Sequence, residues 1–360
     1  MGPQMDYILN FDKVDKRSLP LVGGKNASLG EMIKTGIRVP PGFAVTTDGY
    51  LNFLNDTGIK DKIYQIITDL DPDDMGTLNQ VAEQIRNMIE RTPMSEEIQT
   101  AIQDGYLRLC EKCLTDQMPV AVRSSATAED LPTASFAGQQ ETYLWIQGAD
   151  QLSAYVQKCW SSLFTPRAIS YRIKNNFPHE KVLISVGIQK MVDAKAAGVM
   201  FTINPTTGDP SKVVIEGSWG LGETVVSGSV NPDKFVVDKV IMEASEKTIS
   251  SKHIECIFDP DKGAVVDADV DPTRQDLCSL EDAEIKALVK MGKEIEAHYG
   301  CAMDIEWAID KHIPFPENMF IVQARPETVW SQSKTKSVLG EKTGKQLLME
   351  QAMKRIKIPG

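Results

Sequence analysis

The chain has 360 residues, of which 42% are hydrophobic and 25% charged, a composition typical of a globular protein. Its 39 Lys and Arg against 50 Asp and Glu give a formal net charge of −11, which argues against a nucleic-acid partner because such partners require a basic face. The sequence contains no apolar run of about 18 residues and no signal-peptide pattern, so we expect no association with a membrane. The six scattered cysteines favour a reduced, cytoplasmic protein.

The first half of the chain predicts short strands separated by long helical stretches. A glycine-rich segment, residues 21–33, is interpreted as a loop that enters a short helix. The predicted strands of this half lie at 7–11, 39–45 and 119–123, and apolar spacing predicts helices within 48–113 and 152–173.

The second half is rich in predicted strands, which lie at 182–192, 198–202, 213–216, 234–238, 303–308 and 319–323. A helix over about 283–299 precedes the last two strands. Because the character changes near residue 190, we expect an α+β protein with subdomains at 6–190 and 191–330. Residues 331–360 are predicted to form a linker and a C-terminal helix, which ends the chain as a finished terminus.

Two segments of the first half combine a cation with small residues. Lys25 follows Gly23 and Gly24, and glycine backbone with a lysine suits phosphate contact, although a glycine turn with a solvated lysine is the alternative. Arg123 ends an apolar strand, where a guanidinium is costly to bury without a partner such as a polyphosphate. An ion pair of Arg123 with Glu129 or Asp130 is the competing interpretation. The hydroxyl residues and Gly138 downstream suit a loop that closes over phosphates.

A glycine cluster follows the predicted strand at 213–216. The segment 216–223 has the order G-x-x-G-x-G, which is not the dinucleotide-binding fingerprint G-x-G-x-x-G. Its glycines indicate either a close approach of the backbone to a ligand or a tight turn packed by Trp219.

The last two predicted strands carry the residues that point most directly to a chemical function. Alternation places Asp304 and Glu306 on one face of the first strand, and Gln323 and Arg325 on one face of the second. If the strands pair as a hairpin, an acidic pair lies beside an amide and a guanidinium. Carboxylate and amide oxygens are suitable ligands for Mg²⁺, and the arginine suits a phosphate in transfer. A salt bridge across an exposed sheet is the alternative.

Several long motifs, taken in order, resemble the nucleotide-binding domain of phosphoenolpyruvate synthase, which also occurs in pyruvate phosphate dikinase and rifampin phosphotransferase. The matching motifs are LVGGKNASLGE at 21–31, VPPGF at 39–43, VAVRSSA at 120–126, GSWGLGE at 217–223 and QARPET at 323–328. The resemblance covers about residues 6–330. It implies an ATP-grasp fold, in which two α+β subdomains clasp ATP.

The resemblance also implies roles for individual residues. Lys25 and Arg123 would hold ATP phosphates, and Gly138 and Gln139 would lie on the closing phosphate loop. The stretch from Gln189 through Met191 to Val192 would contact adenine. Glu306 and Gln323 would hold Mg²⁺, and Arg325 would stabilise the transferred phosphate.

The implied reaction splits ATP into AMP and two phosphate-derived groups, and the β-phosphoryl group passes through a histidine on a separate domain to the acceptor. None of the four histidines here has the motif expected of that domain, so we expect a separate phosphohistidine-bearing subunit that also carries a small-molecule acceptor. This arrangement is most similar to the stand-alone ATP-binding subunit of phenylphosphate synthase, with phenol as acceptor. The alternatives are an isolated domain of a phosphoenolpyruvate synthase or other dikinase, a carboxylate–amine ligase, and a nucleotide-sensing module.

Overall fold

The structure, a computed structural model, describes residues 6–127, 130–131, 134–135 and 141–330. In the first half the strands and α-helices are β1 (Ile8–Asn10), α1 (Leu19–Lys34), β2 (Gly42–Val45), α2 (Thr47–Asp56), α3 (Ile59–Ile66), α4 (Met75–Arg91), α5 (Glu96–Lys112), β3 (Val120–Ala126), β4 (Asp130–Leu131), β5 (Ala134–Ser135), β6 (Thr142–Ile146), α6 (Ala149–Ser161), α7 (Pro166–Lys174) and β7 (Ile184–Lys190). The second half contains β8 (Ala194–Phe201), β9 (Lys212–Trp219), α8 (Glu223–Val226), β10 (Asp233–Asp238), β11 (Ala244–Thr248), β12 (Ile254–Asp259), β13 (Ala264–Asp269), α9 (Asp282–Tyr299), β14 (Met303–Asp310) and β15 (Met319–Pro326).

The first antiparallel sheet has five strands in the order β1-β2-β7-β3-β6. Helices α2 to α7 pack on it through amphipathic faces, as α4 illustrates: Leu78, Ala82, Ile85 and Ile89 recur at spacings of three and four residues and are all buried. The buried ring of Trp160 on α6 lies in the same core. The predicted helical stretches 48–113 and 152–173 are confirmed, with breaks between individual helices.

The glycine segment that was predicted to be a loop before a short helix lies instead inside α1. Pro20 occupies the first turn, where its missing N–H costs nothing. Only Gly23 departs from helical geometry, at φ +71°, and it kinks the helix there. The prediction of a loop was wrong because glycines favour a loop only where no tertiary contact holds the backbone. Here α1 packs against strands β3, β7 and β15.

We expect Gly23→Ala to lower the free energy of unfolding by about 2–4 kcal/mol, the sum of a left-handed φ and a steric overlap. An added Cβ would overlap the backbone oxygen of Ser125. Gly36→Ala is the matched control, because Gly36 also has a positive φ but open space around it, so about 1 kcal/mol is expected. Urea denaturation of both variants measures the difference, and equal losses would contradict the close packing of Gly23.

The second antiparallel sheet has six strands in the order β11-β10-β9-β8-β14-β15. Helix α9 covers it with Ile285, Leu288, Val289 and Ile295, which confirms the helix predicted at 283–299. The chain passes from the first sheet to the second between Lys190 and Ala194, close to the predicted boundary. The division at residue 190 nevertheless remains a prediction, because residues of α1 such as Met32 belong to the core of the second sheet.

Among the residues that the structure describes, no helix is long and apolar enough to cross a membrane. The predicted linker and terminal helix at 331–360 lie outside the described residues.

A buried Arg172 on α7 donates from Nε to Nδ1 of His179 at 2.8 Å, which requires the unprotonated form of that ring nitrogen. Burial, reinforced by the Arg172 charge, lowers the pKa of His179 to about 4. The unfolded chain therefore binds an extra proton as the pH falls below about 6.5, and stability is lost progressively down to about pH 4.

We expect the wild-type protein to lose about 1–2 kcal/mol more stability than His179→Asn between pH 7 and pH 4.5, a value reduced for the partial exposure of the ring. The asparagine oxygen can still accept from Arg172 but does not titrate. Urea denaturation at the two pH values measures the difference, and parallel losses in both proteins would contradict a buried neutral His179.

Candidate functional site

An open cleft of about 830 Å³ lies between the two sheets, at the place where the chain passes from one to the other. Its walls are mostly apolar, with Ala121 and Leu144 from the first sheet and Ala197 and Ala308 from the second. Met191 and Val192, in the connection between the sheets, complete the apolar part. An apolar cleft with a few convergent polar groups is the usual form of a small-molecule site, and it suits a flat heterocyclic base.

The polar end of the cleft is organised by Arg123 of β3. Its neighbour Val122 faces the core, so strand alternation turns Arg123 towards the cleft. The guanidinium crosses to the second sheet: Nη2 donates to Gln323 Oε1 at 2.6 Å and to Glu306 Oε2 at 3.0 Å. Nη1 donates to the Val322 carbonyl at 2.8 Å. Arg123 therefore has a carboxylate partner, Glu306, while Glu129 and Asp130, weighed as partners above, lie outside the described side chains.

The predicted hairpin of the last two strands is confirmed. In the antiparallel pairing of β14 with β15, Asp304 lies opposite Arg325 and Glu306 lies opposite Gln323. A bulge follows directly after Glu306, where Trp307 pairs with Ile321 and Val322 is left over. The four polar residues thus occupy adjacent positions of one face, while Ile305, on the other face, is buried in the core.

Asp304 is the residue of this group to which the family resemblance assigned no role, although the strand pattern placed it with Glu306 in the acidic pair suited to Mg²⁺. Burial raises its pKa to about 6, against a smaller lowering by the Arg325 charge. Its Oδ2 lies 3.5 Å from Arg325 Nε, and its buried Oδ1 has no hydrogen-bond partner among the described residues. The signal was present in the sequence, since alternation placed Asp304 on the face of Glu306, but the burial that makes it distinctive comes from the tertiary structure.

The side-chain oxygens of this face are of the chemical type that magnesium prefers. Glu306 and Gln323 already converge on one cationic atom, Arg123 Nη2, and Asp304 Oδ1 is an unsatisfied oxygen beside them in the strand pattern. No group of three or more His, Cys, Asp or Glu able to hold a metal occurs within the described ranges. Two carboxylates and an amide are consistent with Mg²⁺, which usually keeps several waters and takes further oxygens from a bound phosphate.

Lys25 and Arg325 lie in a second cavity, of about 720 Å³, on the other side of Gln323. Lys25 Nζ donates to the Ser124 carbonyl at 3.3 Å, next to Arg123 in β3. The Gln323 side chain, bound by Arg123, lines this cavity too. Gln323 is therefore bound by Arg123, which faces the main cleft, and lines the second cavity together with Lys25 and Arg325.

Gln189 near the end of β7, and Met191 and Val192 in the connection between the sheets, line the cleft. Gln189 is buried; its Oε1 accepts from Arg123 Nη1 at 3.3 Å, so it contacts the cation rather than standing free for a base. The Met191 amide donates to the Pro119 carbonyl, which holds the connection against the start of β3. The remaining predicted site residues, Gly138 and Gln139, lie outside the described residues.

The glycine cluster at 216–223 forms a tight turn packed by Trp219, one of the two interpretations offered for it, and the approach of its backbone to a ligand stays a prediction. Gly220 turns the chain at φ +73° directly against the Cys256 backbone, where a Cβ would overlap the carbonyl oxygen. Trp219 packs beside this turn and is nearly buried. The following residues, Leu221 to Glu223, line the main cleft. Sequence reasoning named no site residue here, although the glycine spacing was the available signal.

Comparison with known proteins identifies relatives that match these motifs. A family model described as pyruvate phosphate dikinase, AMP/ATP-binding domain, matches residues 19–346. The chain is 49% identical to a probable phosphoenolpyruvate synthase of Staphylothermus marinus, with 92% of this chain and 42% of the relative covered. Similar proteins of the same description from Methanocaldococcus jannaschii (47% identical, 92% and 28% covered) and Methanothermobacter thermautotrophicus (46% identical, 91% and 47% covered) also match.

The chain spans less than half the length of these relatives. The match accounts for the two antiparallel α+β units on either side of a cleft, and the expected ATP-grasp fold is confirmed. The relatives are described as phosphoenolpyruvate synthases, so the comparison agrees with the dikinase alternative and offers no support for the phenylphosphate synthase interpretation. The chain belongs to the pyruvate phosphate dikinase AMP/ATP-binding domain family.

Proposed function

We propose that the chain binds ATP with Mg²⁺ in the main cleft and is the ATP-binding part of a phosphoenolpyruvate synthase-type dikinase. In this proposal ATP is cleaved to AMP, and the β-phosphoryl group passes to a histidine on a partner domain or subunit. The relatives named above are more than twice as long as the matched region, which is consistent with a partner that lies outside this chain. Their name suggests pyruvate as the final acceptor; phenol is the less favoured candidate.

The observation that carries the proposal is the reach of Arg123 from the first sheet to Glu306 and Gln323 of the second. A guanidinium that holds two oxygen ligands of the opposite sheet marks the point where triphosphate charge and a metal ion would be balanced. Lys25 and Arg325, which line the second cavity together with Gln323, supply two more cations. The chain is acidic overall, so this local grouping of cations is not a consequence of composition.

Each residue then has a chemical task. The apolar wall near Met191 and Val192 takes the base, and Lys25 and Arg123 neutralise the phosphates. With ATP bound, Arg123 would exchange its carboxylate partner for phosphate oxygens, and Glu306 and Gln323 are the residues that would hold Mg²⁺. A bound Mg²⁺ would offset the charge that develops on the phosphates.

In this proposal Arg325 acts on the group in transfer. It lies beyond Gln323 in the second cavity, with its side chain 46% exposed, so it can follow a phosphate that leaves the cleft. A planar guanidinium beside the transferring group stabilises charge that is larger in the transition state than in the bound ATP.

The test uses ATP labelled separately at the β and γ positions, incubated with this chain, Mg²⁺ and fractions of its source extract. AMP formation and acid-labile label from the β position on a second polypeptide are the expected results. Formation of ADP with no labelled polypeptide would contradict the dikinase proposal and favour a ligase. Tight ATP binding without cleavage in any fraction would favour a nucleotide-sensing module. Adding pyruvate or phenol to the labelled partner then decides between the two acceptors.

A further inference from the structure

A two-stranded hairpin formed by β12 and β13 stands apart from both large sheets. Most of its residues are partly or fully exposed, and Cys256 is the buried residue of its two strands. An isolated two-stranded hairpin is marginally stable in water, so its position depends on its attachments to the rest of the protein.

The first attachment ties the hairpin to the second sheet beside the cleft. The Cys256 carbonyl accepts from the Leu221 amide at 2.7 Å, and Cys256 forms a single parallel bridge with Gly220. The Cys256 side chain packs in one cluster with Val192, Ala197 and other residues that line the cleft. The hairpin therefore touches the wall of the nucleotide cleft directly.

The second attachment crosses to the first sheet. The Phe258 ring stacks on the ring of Trp145 in β6, with centroids 4.7 Å apart and planes 9° from parallel. Trp145 follows Leu144, which lines the cleft, and β13 lies beside β6. One aromatic pair thus joins the hairpin to the opposite wall of the cleft.

The backbone at Trp145 is strained. Its φ of +61° is in the left-handed region, which a bulky residue adopts only when surrounding contacts enforce it. The stack with Phe258 is a contact that depends on this conformation, because the direction of the ring follows from the backbone. Trp145 also packs against the apolar cluster that contains Val192 and Cys256, and the pairing of β6 with β3 is irregular beside it, so the stack is one of several contacts that hold this conformation.

We propose that the β12–β13 hairpin flanks one side of the nucleotide cleft and restricts access there, and that the Trp145–Phe258 stack is the contact that holds the hairpin in place. The inference rests on the proposed binding of ATP in the main cleft. ATP enters and leaves faster when the stack opens, while the hairpin remains attached at Cys256. The elements that move in this way are those with few buried contacts, as the exposure of both strands indicates.

The test is the kinetics of binding of a fluorescent N-methylanthraniloyl ATP with Mg²⁺, followed by stopped flow. We expect Phe258→Ala to raise both the association and the dissociation rate constants about 2- to 10-fold, the factor that corresponds to one lost aromatic pair. Trp145→Ala is expected to do the same, and the double variant to add little, because either change alone removes the stack. Phe258→Tyr preserves the stack and is expected to retain wild-type rates.

Ile254→Ala is the matched control, because Ile254 lies on the same hairpin, is 37% exposed and takes no part in the stack. Hydrogen exchange without nucleotide provides a second readout: amides of residues 254–269 are expected to exchange faster in Phe258→Ala than in the control. If Phe258→Ala does not fold, Phe258→Leu, which removes stacking but keeps an apolar side chain, replaces it.

Three results would overturn the inference. Unchanged rate constants and unchanged hydrogen exchange in Phe258→Ala would show that the stack neither fixes the hairpin nor limits access to the cleft. A change confined to the dissociation rate would mean that Phe258 contacts the nucleotide rather than restricting access to the cleft. Failure of the wild-type chain to bind the nucleotide at all would overturn the proposed function and this inference together, whereas normal binding with unchanged rates overturns this inference alone.

Discussion

Arg325→Ala is expected to lower the rate of phosphoryl transfer by about 10²- to 10³-fold and to change ATP affinity little. A loss of this size is typical when one hydrogen-bond donor to the charge of the transition state is removed. Arg325 is placed beyond Gln323, in the second cavity, whereas the apolar part of the main cleft is formed without it. Rapid-quench measurement of AMP formation with the histidine-bearing partner gives the rate, and titration with fluorescent ATP gives the affinity.

Two further variants make this prediction specific. Arg325→Lys keeps the charge but loses the planar fork, so we expect a rate between those of the wild type and Arg325→Ala. Arg167→Ala removes an exposed arginine of α7, outside both cavities, and is expected to leave rate and affinity unchanged. Unchanged transfer in Arg325→Ala would refute the role assigned to Arg325, and a parallel loss of affinity would make it an ATP-binding residue instead.

Glu306→Ala is expected to weaken ATP binding in the presence of Mg²⁺ by about 10- to 100-fold, the usual range for losing support of a bound metal. The variant lacks the carboxylate that lies 3.0 Å from Arg123 Nη2. Without Mg²⁺ the expected result is different: ATP should bind at least as well as to the wild type, because Arg123 no longer has to leave an ionic partner. Calorimetric titration with Mg²⁺ and with a chelator measures both affinities.

The contrast between the two conditions is what distinguishes a metal ligand from a structural carboxylate. Glu294→Ala, on the exposed face of α9, is the matched control and should change neither affinity. Equal losses with and without Mg²⁺ would mean that Glu306 only orders Arg123. An unchanged dependence on Mg²⁺ would refute the assignment of Glu306 as a ligand.

Much of the fold could be predicted because its signals are local. The apolar spacing of α4 and α9 and the alternation in β14 and β15 are repeated within a few residues, and each helix and strand predicted within the described residues has a counterpart in the structure. The alternation also predicted that Asp304 and Glu306 share one face and Gln323 and Arg325 another, whereas the register that pairs Asp304 with Arg325 and Glu306 with Gln323 comes from the structure. The glycine segment in α1 was misjudged, since contacts with strands distant in sequence hold it helical on both sides of Gly23.

The sequence by itself determined the element types, the four polar residues of the last hairpin and, through its ordered motifs, the family. Only the tertiary structure decided which groups are in contact. Arg123 donates a hydrogen bond to Glu306, a residue 183 positions away in the sequence, and Phe258 stacks on Trp145 of the first sheet. The tertiary structure also decided that Asp304 is buried with a raised pKa. The physical reason is that periodicity and propensity act over a few residues, whereas partner choice, burial and electrostatics depend on how the two sheets are placed against each other.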